Sequence, residues 1–190
     1  MNLLHRWLCR SSYWKRNVEQ NLLPWALEGV DLGDEVLEVG PGPGVTTELV
    51  RKRIPRLTCV EIDTRLAKSL ADRTRGSNVR VVQGDATSMG FADASYSGAV
   101  CFTMLHHVPS AALQDRLLAE VYRVLEPGGV FVGTDSVWRW TFGMLHVRDT
   151  MVLVDPATFG RRLENVGFSQ VSIDLAAKSF RFRATRPGKA

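Results

Sequence analysis

Apolar residues along this chain recur with two different periods, and the change from one to the other lays out the elements. Short runs of β-prone residues at 35–37, 56–62, 79–82, 98–102 and 130–134 read as buried strands. Between them the apolar positions return at helical spacing. Val18, Leu22, Trp25 and Leu27 mark a helix over 13–29, with Pro24 as a kink or boundary. A second helix runs from Thr46 to Arg53, and a third follows the capping pair Asp63-Thr64 through Ala67, Leu70 and Ala71. Ser110 caps an amphipathic helix carrying Leu113, Leu117, Val121, Val124 and Leu125, which Pro127-Gly128-Gly129 is expected to stop. Residues 91–96 read as loop. A last helix at 155–166 is closed by Gly167, ahead of a hairpin-like pair of strands at 171–175 and 180–184. Strands alternating with helices predict a largely parallel sheet with helices on both faces.

Length and composition refine this picture without redirecting it. The 190 residues suit a single domain over 1–190, with an N-terminal helical segment at 1–30 and an irregular insert at 137–155. Hydrophobic residues make up 45% and charged residues 23%, which is ordinary for a globular protein. No apolar run approaches the ~20 residues of a membrane span. The N-terminus lacks the apolar core and cleavage site of a secretory signal. Cys9, Cys59 and Cys101 show no paired spacing and read as reduced core residues of a cytoplasmic protein.

The net charge is +4, with Arg6, Arg10, Lys15 and Arg16 near one end and Arg181, Arg183, Arg186 and Lys189 near the other. Such a surface could attract nucleic acid or an anionic membrane. The plainer reading is two solvated basic ends on a near-neutral body. No interleaved aromatic and basic stripe and no set of metal ligands favours nucleic acid or a bound metal, so neither is expected.

The candidate chemistry begins where the first strand breaks into Glu38-Val39-Gly40-Pro41-Gly42-Pro43-Gly44 and restarts as a helix. A strand, a glycine loop and a helix bring backbone N–H groups and a positive dipole end close to a ligand. The following strands end in Glu61 with Asp63, in Asp85, and in Phe102-Thr103-Met104. In a doubly wound sheet these ends surround the ligand. Three carboxylates oppose a pyrophosphate, and the loop lacks the Lys and Ser/Thr of a P-loop. A ligand with adenine, ribose and a cationic amino-acid end suits the set better than a dinucleotide.

These residues resemble the class I S-adenosylmethionine-dependent methyltransferases, of the small, single-domain, methyltransferase-11-like type. The glycine loop resembles the family's first motif, Val60-Glu61-Ile62-Asp63 its ribose step, and Gln83-Gly84-Asp85-Ala86 its adenine step. Residues 101–108 and 125–129 are similar to its later motifs. The resemblance implies an α/β fold, a Rossmann-like doubly wound sheet of about seven strands, mostly parallel with an antiparallel C-terminal strand. It implies S-adenosyl-L-methionine as cofactor and S-adenosyl-L-homocysteine as product. Gly40, Gly42 and Gly44, with Pro41 between them, would admit the methionine and ribose part, and Glu38 would orient the amino end. Glu61 would accept from the ribose hydroxyls, with Ile62 against the adenine and Asp63 beside it. Gly84, Asp85 and Ala86 would meet the adenine edge. The backbone around Phe102 and Thr103 would face the amino group, with Met104 and His107 completing the contacts.

Two departures qualify the resemblance. Ser97-Gly98 stands where an acidic residue is common and is taken as surface variation. Strand four ends in Phe-Thr-Met-Leu, without the Asn/Asp-Pro-Pro-Tyr/Phe grip of nucleic-acid amine methylases. His106 is the candidate general base, against the plainer reading that the His106-His107 pair packs structurally. Tyr13, Trp138, Trp140 and Met144 are candidate substrate contacts, against a plain core role for the aromatics. The expected function is in-line methyl transfer to a small, apolar or aromatic acceptor. A phospholipid amine N-methyltransferase in peripheral contact with a membrane, and a non-catalytic cofactor-binding protein, are the alternatives.

Overall fold

The computed structural model describes residues 11–137 and 151–188. Its sheet has seven strands: β1 (Glu35–Val39), β2 (Arg56–Glu61), β3 (Val79–Gln83), β4 (Tyr96–Phe102), β5 (Leu125–Ser136), β6 (Ser169–Leu175) and β7 (Ser179–Thr185). The spatial order is β3-β2-β1-β4-β5-β7-β6. The β1, β2, β3, β4 and β5 pairings are parallel, whereas β7 is antiparallel to both β5 and β6. The expected architecture is therefore present, with the order reversing between β1 and β4. Ligands of doubly wound sheets sit at that reversal, at the carboxyl ends of the strands.

Alternation along each strand separates two cores. Leu37, Val39, Val60, Ala99, Cys101 and Phe131 face the layer containing Leu117, Leu118, Phe159 and Leu163. Val36, Leu57, Cys59, Val100, Phe102 and Val132 face the opposite layer with Val18, Leu23, Leu49 and Leu70. The first layer is made by α5 (Ala111–Val124) and α6 (Pro156–Val166). The second is made by α1 (Ser12–Asn17), α2 (Leu23–Ala26), α3 (Thr47–Val50) and α4 (Thr64–Arg73).

Several elements differ from the sequence-based expectation, each for a local reason. The N-terminal helix is not uniform. A π-turn at Val18–Leu22 separates α1 from α2, with the Leu23 N–H reaching the Val18 carbonyl. Pro24 explains it, because a proline has no N–H and its ring crowds the carbonyl four residues back. The helix after the glycine loop is a single turn. Asn78 Nδ2 takes the carbonyls of Arg51 and Ile54, each at 2.8 Å, and Pro55 follows. The dipole expected at the ligand is correspondingly small.

The fourth helix boundary also moves. Leu125 is extended, with φ −70° and ψ 145°, so α5 ends at Val124 and Pro127-Gly128-Gly129 lies inside β5. Glu126 precedes a proline and is disfavoured from helical geometry. The strand is held by two 2.8 Å bonds, from Gly128 N–H to the Arg186 carbonyl and from Arg186 N–H to the Gly129 carbonyl. Ser97 is not a surface variation. Its hydroxyl accepts from the Glu35 N–H at 3.0 Å and donates to the Leu32 carbonyl at 2.9 Å, stitching β4 to the start of β1.

Arg181, Arg183 and Arg186 of the basic C-terminal cluster are structural too, while Lys189 lies outside the described residues. Arg181 Nε donates to Asp174 at 2.9 Å and Arg181 Nη1 to Glu28 at 3.1 Å, with its guanidinium 5.4 Å from the Trp25 ring. Arg183 Nη2 donates to the Glu28 carbonyl at 2.6 Å. Arg186 Nη1 donates to the carbonyls of Tyr122 and Arg123 at 3.1 and 2.9 Å, and also to that of Leu125. The Tyr122 and Arg123 carbonyls lie in the last turn of α5, where the helix supplies no partner, and the Leu125 carbonyl opens β5. Arg186→Ala should lower unfolding free energy by about 2 kcal/mol, the scale of hydrogen bonds from a charged donor. Arg186→Lys should fall between the two. Urea unfolding at neutral pH measures both.

Candidate active site

The β1 end carries Glu38 toward the α3 layer, the same side as Cys59 on β2. Glu38 is only 1% exposed and faces no cation in the contacts described. Its carboxylate instead accepts from Thr46 Oγ1, from Thr47 Oγ1 at 2.6 Å and from Cys59 Sγ at 3.4 Å. The strand end is thereby bonded to the residues just beyond the glycine loop. Burial pushes the Glu38 carboxyl above the usual glutamate range, and the Glu61 charge adds to the push, while the three donors oppose it. The Cys59 thiol is pushed well up by burial and by Glu38, so it is an unreactive donor. The threonines at 46 and 47 were missed in the sequence. Hydroxyls eight and nine positions after a strand-ending carboxylate are the signal that could have found them.

The glycine loop between these anchors is tightly specified. Gly40 N–H donates to the Val60 carbonyl at 2.9 Å, Gly42 N–H to Glu61 Oε2 at 2.9 Å, and Gly44 N–H to the buried Pro41 carbonyl at 2.9 Å. The three glycines do different work. A Cβ on Gly40 would lie 2.3 Å from Met104 Cγ, and one on Gly44 would lie 2.4 Å from Leu70 Cδ1. Gly44 therefore serves helix packing. Gly42, at φ +55°, would place a Cβ in open space. It is the loop's open crest.

Glu61 is 6% exposed, and its second oxygen accepts from the Asp63 N–H at 2.9 Å. Asp63 Oδ1 caps α4, accepting from the N–H groups of Arg65 and Leu66 at 2.8 and 3.0 Å. Ile62 is 65% exposed, an apolar side chain standing beside a polar cradle. Gly84 N–H donates to the Glu61 carbonyl at 3.0 Å, which sets Gly84, Asp85 and Ala86 next to the β2 end. Asp85 is exposed, with Oδ1 accepting from the Thr87 N–H at 2.8 Å.

On the other side of β1, Phe102 is buried in the α3-side core and Met104 lies over Gly40. Thr103 between them has φ +50°, a strained conformation for a β-branched residue. Its N–H donates to the Thr134 carbonyl at 2.7 Å. Strand alternation sends Asp135 to the other layer, where it meets His106 in a short 3₁₀ turn (Leu105–His107). His106 Nδ1 lies 2.5 Å from Asp135 Oδ1, and the His106 N–H donates to Asp135 Oδ2 at 3.1 Å. The two residues are 1% and 0% exposed. The His107 ring lies 4.2 Å from that of His106. Asp135 was missed because a carboxylate at the end of β5 carries no recognisable spacing to His106. Tyr13 is 75% exposed on α1, while Trp138, Trp140 and Met144 lie outside the described residues.

The profile of a family described as a methyltransferase domain matches residues 37–133, which run from β1 through most of β5. The chain belongs to that family. The chain is 28% identical over 171 residues to the ubiquinone/menaquinone biosynthesis C-methyltransferase UbiE of Legionella pneumophila, covering 80% of this chain and 65% of that protein. It is 37% identical over 76 residues to a probable ribosomal RNA small subunit methyltransferase A of Thermococcus onnurineus, covering 40% of this chain and 27% of that one. The chain thus spans under two thirds of either relative. A phosphoethanolamine N-methyltransferase 2 of Haemonchus contortus, solved with S-adenosyl-L-methionine, superposes with a TM-score of 0.75 at 14% identity over 98% of this chain and 60% of that one.

The cradle has the features expected for S-adenosyl-L-methionine, the cofactor that the sequence motifs imply. Gly42 leaves space above the loop, Ile62 offers an apolar face, and Glu61 and Asp85 retain acceptor capacity. Gly42→Ala should weaken S-adenosylhomocysteine binding more than it lowers stability. Gly44→Ala should do the reverse, because its Cβ would displace Leu70; calorimetry and thermal unfolding separate them. Glu38→Gln should be less stable than wild type at low pH and lose that disadvantage as pH rises. The raised carboxyl contributes fully below about pH 4.5, its ordinary value, and that contribution fades as it ionises through its higher native pKa. Unfolding curves across acid to neutral pH test the sign.

Proposed function

We propose that the chain methylates a small apolar or aromatic acceptor by in-line displacement. One observation carries this reading: the match to a quinone-biosynthesis C-methyltransferase extends over 80% of the chain. The ribosomal RNA relative covers 40%. The β4 end, Phe102-Thr103-Met104, also lacks the polar grip for a nucleobase amine.

The bound cofactor supplies an electrophilic methyl group on a sulfonium. The chain's own residues supply position. Glu61 would hold the ribose hydroxyls, Ile62 the adenine face, and Gly84, Asp85 and Ala86 the adenine edge. The loop backbone, with Phe102, Thr103 and Met104, would line the amino-acid end. Alignment of this kind, with water excluded, accounts for much of the rate in a displacement that needs little other assistance. A carbon acceptor must also lose a proton. His106 is the candidate base, and Asp135 on Nδ1 would direct that proton to Nε2.

A second reading, methylation of a phospholipid amine, is favoured by the exposed Tyr13, Lys15 and Arg16 on α1. Aromatic and basic side chains together suit an anionic interface.

A radiolabelled-methyl transfer screen against aromatic, quinone and phospholipid fractions tests both. Label entering the aromatic or quinone fraction supports the first reading, and label entering aminophospholipids supports the second. With the acceptor in hand, His106→Ala should cut kcat by at least about 100-fold while leaving S-adenosylhomocysteine affinity near that of wild type. An equal loss of affinity and thermal stability would assign His106 a structural role.

A further inference from the structure

Glu61 ends β2 with both carboxylate oxygens engaged by backbone. Oε2 accepts from the Gly42 N–H and Oε1 from the Asp63 N–H, each at 2.9 Å. Ribose recognition alone asks only that the carboxylate face the sugar. Here the same group also reaches nineteen positions back along the chain to hold the loop's crest. A carboxylate offers about four lone-pair sites, so each oxygen can accept a second donor without releasing the first. At 6% exposure, water competes little for these bonds.

The other loop anchors act elsewhere. Glu38 holds Thr46 and Thr47, Arg73 Nη2 donates to the Pro43 carbonyl at 2.6 Å, and Gly40 N–H is tied to Val60. Of these contacts, the one at Gly42 comes from Glu61. Gly42 is also the glycine whose outer side is open, and hence the position where a displaced loop would most alter the cradle.

We infer that Glu61 is a positioning residue for the glycine loop as well as the acceptor of the ribose hydroxyls, so that one carboxylate couples sugar recognition to loop placement. This rests on the cofactor assignment. If Glu61 met only the sugar, its removal would be silent toward a ligand without ribose hydroxyls. As a strut for Gly42, its removal weakens any ligand lying on the loop.

The test compares wild type, Glu61→Gln and Glu61→Ala. Calorimetry uses S-adenosylhomocysteine and its analogue lacking both ribose hydroxyls, and NMR follows amide exchange of the ligand-free protein. Glu61→Ala should weaken S-adenosylhomocysteine about 100-fold and the analogue still about tenfold. Glu61→Gln, which keeps a neutral acceptor, should weaken the analogue less. The Gly42 amide should exchange about tenfold faster in Glu61→Ala, with the Gly44 amide, bonded to Pro41, changing less. Should Glu61→Ala not fold, Glu61→Gln carries the comparison with the same signs. The coupling is overturned if the analogue binds the variants as tightly as wild type, or if Gly42 exchange is unchanged. Failure of wild type to bind S-adenosylhomocysteine would overturn the cofactor assignment, whereas unchanged Gly42 exchange in the ligand-free variants would overturn the strut by itself, so the two failures are told apart.

Discussion

The carboxylate of Glu38 is the point on which sheet, glycine loop and first helical turn converge. It is buried at the end of β1, the middle one of the five parallel strands, with hydroxyl and thiol donors in place of a cation. An anion so placed is costly unless its lone pairs are filled. Thr46 and Thr47 meet that demand only if the chain turns back within a few residues of leaving β1. The glycines make that return physically attainable, and α3 starts where it ends. The return of the chain to the end of β1, and with it the span of the glycine loop, is tied to this one buried and hydrogen-bonded carboxyl group.

A second carboxylate, Glu61, acts on the same loop from β2, and a third, Asp135, acts across the sheet on His106. Each sits at the carboxyl end of its strand, where the ladder runs out and a side chain can bond to a neighbouring turn. The loop, the β3 end and the 3₁₀ turn at His106 are thereby held by acceptors rooted in the rigid sheet. A cradle built so is preorganised, which lowers the ordering cost of binding. The strained Thr103 belongs to the same design, its backbone held to Thr134 where an unconstrained threonine would relax.

Strand positions and their terminal acids were legible in the sequence because buried parallel strands leave unbroken apolar runs. Glu38, Glu61 and Asp85 stood out as the polar residues ending those runs. The short α3 was hidden, since its termination comes from Asn78, distant in sequence, and not from the local pattern after Thr46. The end of α5 was misplaced because Leu125 continues the apolar helical stripe, and only its pairing with Tyr96 commits it to β5. Arg181, Arg183 and Arg186 read as a solvated basic cluster because charge alone does not reveal that their partners are carbonyls and carboxylates of remote elements. Asp135 and His106 come from different strand ends, and nothing local joins them.

Strand order carries a consequence for how the protein is made. β7 lies between β5 and β6, although it follows both along the chain. The β1–β4 half, with its glycine loop, can pair internally while later residues are still being synthesised. β5 then waits with an unpaired edge, and β6 has no neighbour until β7 arrives. Arg181 and Arg183, carried on β7, are also the groups that clasp Glu28 and the end of the N-terminal helix. Folding therefore has a late, non-local step in which one strand closes the sheet and fastens the first helix together. Until then the unpaired edge of β5 is the stretch most open to mispairing.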